Sequence, residues 1–142
     1  MLMRWFPYAL LCAVLIACAD FFVKLASDKI ASSMGMLIYG ATTFTVGLIW
    51  VSYLKVTKQP LLITQPGLLY AIAVGLAFGS VTILLYITYG RVNVSIGSPT
   101  IRVMGILIAS MLGILILREP FTWRYLIGLI MTVAGVALIV FR

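Results

Sequence analysis

The 142-residue sequence contains no histidine, only three carboxylates and two cysteines, and charged residues make up just 9% of it. Asp20, Asp28 and Glu119 are its whole stock of acids. General acid–base catalysis, nucleophilic catalysis and metal ligation all need clusters of such groups. No catalytic residue, metal ligand set or cofactor site is therefore expected, and the chain reads as a non-enzyme. Cys12 and Cys18 lie six residues apart. On one helix they point in different directions and cannot pair with each other, so they read as small packing residues.

What is present is apolar. Hydrophobic residues make up 64% of the chain, against roughly 45–50% in a soluble domain. Small domains bury only about two-thirds of the surface they would otherwise expose, so a soluble globule of this size is excluded. A helix needs about 20 mostly apolar residues to cross the hydrocarbon core. Five such runs follow one another, at about 5–26, 34–54, 68–89, 98–117 and 123–141. The expected fold is therefore an all-α membrane protein of about five transmembrane helices in one domain over 1–142. Polar residues, Gly and Pro punctuate the runs at Ser27-Asp28-Lys29, Lys58-Gln59-Pro60, Gln65-Pro66-Gly67, Gly90-Arg91 and Arg118-Glu119-Pro120. A β-barrel would alternate polar and apolar residues, and these runs are continuous.

Arg4 followed by an apolar run, with Leu15-Ile16-Ala17-Cys18 inside it, looks like a lipoprotein signal. The run continues through Phe21-Phe22-Val23 to full transmembrane length and is read as a span. Trp5, Tyr8, Tyr53, Tyr89, Trp123 and Tyr125 fall near span ends, as aromatic belts do.

Five spans place the termini on opposite sides. The N-terminal side collects Arg4, Lys55, Lys58, Arg118 and Arg124. The other side collects Lys29, Arg91 and Arg142, with Lys24 and Arg102 just inside it. This weak bias makes the N-terminal side the expected cytoplasmic one and leaves room for insertion both ways. The net charge of +7 suits residues flanking anionic lipid and does not imply nucleic acid.

An ionisable residue inside a span costs at least about 2.5–3.5 kcal/mol on insertion scales, which makes it a functional candidate. Asp20 has Lys24 one turn later. The two share a helix face, either as a self-neutralising pair or as a proton or cation site tuned by the lysine. Arg102 lies one turn into a helix that begins at Ser98-Pro99, or deeper if that helix begins near Asn93 with Pro99 inside it. It either snorkels to the headgroups or clamps a phosphate or carboxylate. Asp20, Lys24 and Arg102 all approach the membrane from one side, and one polar cavity is expected to hold them. Glu119 is expected to form an interfacial ion pair with a neighbouring arginine. Tyr39, Trp50, Tyr86 and Phe78 fall within spans and either pack or line a cavity for an amphipathic substrate. Gly75/Gly79, Gly105/Ala109/Gly113 and Gly128/Gly135 set small residues along helix faces.

The stretch Leu115-Ile116-Leu117-Arg118-Glu119-Pro120-Phe121-Thr122-Trp123, then Leu126-Ile127-Gly128 and Ala134-Gly135-Val136, resembles the end of an EamA repeat of the drug/metabolite transporter superfamily. Small multidrug resistance proteins share that glycine-spaced last helix, and Lys24 fits the lysine often found near the end of the first span in both groups. The length and span count resemble one EamA-like helical bundle repeat, with the second span as the extra helix relative to four-span exporters. Two features depart from these patterns. Ile16 stands where small multidrug resistance proteins carry a glutamate, eight residues before the lysine, so drug/proton antiport does not transfer. Arg102 is outside the EamA pattern and leans towards an anionic substrate.

Most proteins with this domain resemble two fused repeats related by inverted topology. The resemblance therefore implies a dimer, antiparallel with itself or with a homologous partner, acting by alternating access in a prokaryotic plasma (inner) membrane. It implies a small-molecule or lipid-linked substrate, with substrate or ion binding at Asp20, Lys24, Arg102, Tyr39, Trp50 and Tyr86. The alternative is a non-catalytic membrane subunit that scaffolds or regulates a larger complex, with the glycine ladders as docking faces.

Overall fold

A computed structural model describes residues 5–141. Arg4 and Arg142, counted above in the charge balance, lie outside the described residues. Among the described residues five helices form, α1 Phe6–Ser27, α2 Ser32–Val56, α3 Gln65–Tyr89, α4 Val94–Leu115 and α5 Trp123–Val140. Each is long and apolar enough to cross a membrane. Among the described residues there is no β-strand.

The helix ends follow local chemistry. Pro7 and Pro66 sit in the first turns of α1 and α3, where a missing N–H costs nothing. Thr64 and Thr122 cap α3 and α5, their hydroxyl oxygens accepting from the N–H of Gly67 and Tyr125 at 3.3 Å. At the exit of α2, Lys58 adopts a left-handed φ of 53°. Its N–H bonds the Lys55 carbonyl and that of Gln59 bonds the Leu54 carbonyl, the paired bonds of a Schellman turn. Arg118 takes a similar φ of 54° beyond α4.

Helix α4 begins at Val94 behind Asn93, the earlier of the two starts the sequence offers and four residues ahead of Ser98. Pro99 therefore lies inside the helix, where it cannot donate to the Ser95 carbonyl. Residues 94–98 share the helical geometry because Asn93, in an extended conformation, takes the N-cap position.

The chain forms two compact units, residues 1–91 and 92–142. In the first, α3 is central and packs against both α1 and α2, which touch each other only slightly. The second is the α4–α5 hairpin. Large apolar side chains are exposed along every helix. In water this would be untenable, and in a bilayer those side chains face acyl chains.

Candidate functional site

The most enclosed charged side chain among the described residues is on α1. Asp20 is only 2% exposed, in a helix whose side chains are mostly apolar. One turn later, Lys24 reaches across to α3. Its ammonium donates to the carbonyl oxygen of Tyr89 at 2.5 Å. The same ammonium lies 3.7 Å from Oδ2 of Asp28, one further turn along α1. Tyr89 is fully buried, and as the last residue of α3 it has a carbonyl with no partner inside its own helix. The sequence pairs Lys24 with Asp20. The structure shows its ammonium engaged by Tyr89 and Asp28. Asp28 reads as loop punctuation in the sequence, although its i+4 spacing from Lys24 was the available signal.

The aromatic candidates take different places. Tyr86 lays its ring on Gly35 of α2, where a β-carbon would stand 2.5 Å from Cζ. Tyr39 lines a cavity of about 350 Å³ between α2 and α3, with Gly40, Thr43, Gly75 and Phe78 among the other walls. The Thr43 hydroxyl donates to the Tyr39 carbonyl at 2.8 Å, so the cavity offers mainly apolar surface. Trp50 is exposed and stacks on Tyr53, with ring centroids 5.7 Å apart. That pair sits near the end of α2, away from the Lys24–Tyr89 contact.

Within the α4–α5 unit, Arg102 is the ninth residue of α4. At 1.5 Å per residue it stands about 12 Å into the helix, the deeper of the two positions the sequence allows. Glu119 does not form the expected ion pair with Arg118 or Arg124. The left-handed turn at Arg118 folds it back onto α4, its N–H bonded to the Gly113 carbonyl at 3.2 Å. Its carboxylate rests on the bare face of Gly113, where a β-carbon would meet Oε2 at 2.7 Å. The hydroxyls of Ser110 and Tyr125 join α4 to α5. Among the described residues no group of His, Cys, Asp and Glu could hold a metal.

Five helices among the described residues are long and apolar enough to cross a membrane, and residues 3–141 match the EamA-like transporter family. The chain belongs to the EamA-like transporter family. Neither the curated proteins nor the solved structures contain a match to it. Membership makes this EamA-like chain a multi-pass membrane transporter of the drug/metabolite superfamily, with a small molecule as the fitting class of substrate. The resemblance at the α4–α5 turn thus extends over nearly the whole sequence. In this EamA-like unit the glycine ladder of α4 divides into an open position at Gly105 and an occupied one at Gly113.

Proposed function

We propose that the chain moves a metabolite or an amphipathic, lipid-linked compound across a prokaryotic plasma membrane by alternating access. It acts as an antiparallel dimer, with a second copy or a homologous partner, and its N-terminus is cytoplasmic in one orientation. The observation that carries this reading is Asp20, a carboxylate 2% exposed in the second half of a transmembrane helix. Burying such a group is expensive, and a transporter recovers the cost by using it for a proton, a cation or a cationic substrate. Arg102, well inside α4, contributes the complementary charge for a phosphate or carboxylate. Tyr39 offers an aromatic wall to the apolar part of the substrate in the α2–α3 cavity. Lys24 acts beside Asp20 at the α1–α3 contact. Tyr86 shapes the α2–α3 packing, and Trp50 contacts substrate or lipid at the end of α2.

The test is flux into proteoliposomes holding the purified chain and a pH-sensitive dye. Amino acids, quaternary amines and polyprenyl-phosphate sugars are offered in turn, with and without a proton gradient. Asp20→Asn should abolish proton-coupled movement of any substrate found, and Arg102→Gln should abolish that of an anionic one. Full flux of every identified substrate in both variants overturns the proposal.

A further inference from the structure

The end of the first unit where α1 and α3 meet concentrates negative potential around one ammonium. Tyr89 ends α3 and is wholly buried, so its carbonyl has no access to water. Lys24 supplies the donor that this carbonyl lacks within its own helix. Lys24 also stands in the last turn of α1. Its charge therefore meets the negative ends of two helix dipoles together. A second acceptor, the Asp28 carboxylate, lies 3.7 Å away and is 63% exposed. These acceptors divide unequally between the helices. Asp28 rides on the same chain segment as Lys24, while Tyr89 belongs to α3.

We propose that Lys24 is a positioning residue that latches the C-terminal end of α3 to α1, with Asp28 as the acceptor that keeps the ammonium when the latch opens. Moving the end of α3 away breaks the bond to Tyr89. Without Asp28 this would strand a half-buried charge, which is costly. With Asp28 already within reach on α1, the ammonium keeps a partner and α1 need not move. The latch lies one turn from Asp20, so opening it changes access to that carboxylate. This inference rests on the alternating-access reading and adds to it the element that moves.

The experiment measures distance and needs no substrate. Spin labels are placed at the exposed ends of the two helices through K29C and R91C, with Cys12 and Cys18 changed to Ser. The labelled chain is diluted with unlabelled chain in liposomes, so that only distances within one copy are read by pulsed electron resonance. Lys24→Met should raise the ratio of long to short distances about tenfold, the population equivalent of losing one charge-assisted hydrogen bond. Asp28→Asn should lower that ratio, because the open state loses its acceptor while the Tyr89 bond remains. Lys24→Arg should keep the original distribution.

A merely structural Lys24–Asp28 pair predicts that both neutralising changes act in the same direction. That result, or an unchanged distribution in Lys24→Met, overturns the latch. If Lys24→Met fails to insert, the sign of the Asp28→Asn shift decides, since a shift to longer distances is incompatible with the latch. Distances that respond as expected in a chain that transports nothing would refute the transport reading and leave the latch standing.

Discussion

The ring of Tyr86 occupies the space that a side chain on Gly35 would need. A β-carbon there would lie 2.5 Å from Cζ and 2.7 Å from both Cε atoms. The contact joins α2 to α3 through bare backbone on one side and a flat ring on the other. Gly35 is buried and Tyr86 half-buried. A ring held between two helices has little freedom to retreat, so Gly35→Ala should destabilise the first unit by about 1–3 kcal/mol, the usual cost of overpacking. Unfolding in a detergent titration, followed by tryptophan fluorescence, should show the loss. Adding Tyr86→Leu to Gly35→Ala should recover part of it.

Not every glycine contact is equally strict. At Gly79 the obstacle is the Cε of Met36 at 2.9 Å, and at Gly113 it is Oε2 of Glu119. Both are the free ends of flexible side chains. Gly79→Ala and Gly113→Ala should therefore cost less than Gly35→Ala in the same titration. Gly75 and Gly105 have nothing within 4 Å. Alanine at either should gain up to about 1 kcal/mol of helix propensity. A loss at Gly75 or Gly105 would mean that a partner helix occupies that face.

Lys58 and Arg118 carry side chains at left-handed φ values of 53° and 54°. That conformation costs a non-glycine residue roughly 1–2 kcal/mol, part of which glycine returns as backbone entropy on folding. Lys58→Gly and Arg118→Gly should each stabilise the chain by about 0.5–1 kcal/mol. A β-branched residue such as valine at either place should destabilise it. Paired thermal unfolding curves in one detergent would show both signs.

Thr64 and Thr122 each satisfy one N–H at the start of α3 and α5. Alanine at either position should cost about 1 kcal/mol. Serine keeps the hydroxyl and should restore most of it. Hydrogen exchange localised to the first turns of the two helices would separate this local fraying from global loss.

The nearly balanced charge on the two sides predicts insertion in both orientations. A compartment-sensitive reporter placed after Arg142 should therefore report a mixed population. A single orientation would remove the antiparallel homodimer and direct attention to a homologous partner of opposite topology.

Much of this architecture was legible in the sequence because lipid makes helix formation local. Each span must satisfy its own backbone hydrogen bonds, so a run of apolar residues ended by Pro, Gly or charge defines a helix without reference to distant partners. All five helices follow from that rule, as do the breaks at Gln65-Pro66-Gly67 and Arg118-Glu119-Pro120. The start of α4 was less legible. Ser98-Pro99 and Asn93 both carry start signals, and in the folded chain the N–H groups of Ile96 and Gly97 bond the Asn93 carbonyl, so the helix starts behind Asn93. Span number, the presence of Asp20 within a span and the glycine-spaced last helix were thus determined by the sequence alone. Tertiary structure decided the partner of Lys24, a carbonyl 65 residues away that no side-chain pattern marks. It also decided that Tyr86 lies on Gly35 and that Glu119 folds onto Gly113. Such contacts depend on how bare backbone meets a neighbouring side chain, and only the packed helices bring those atoms together.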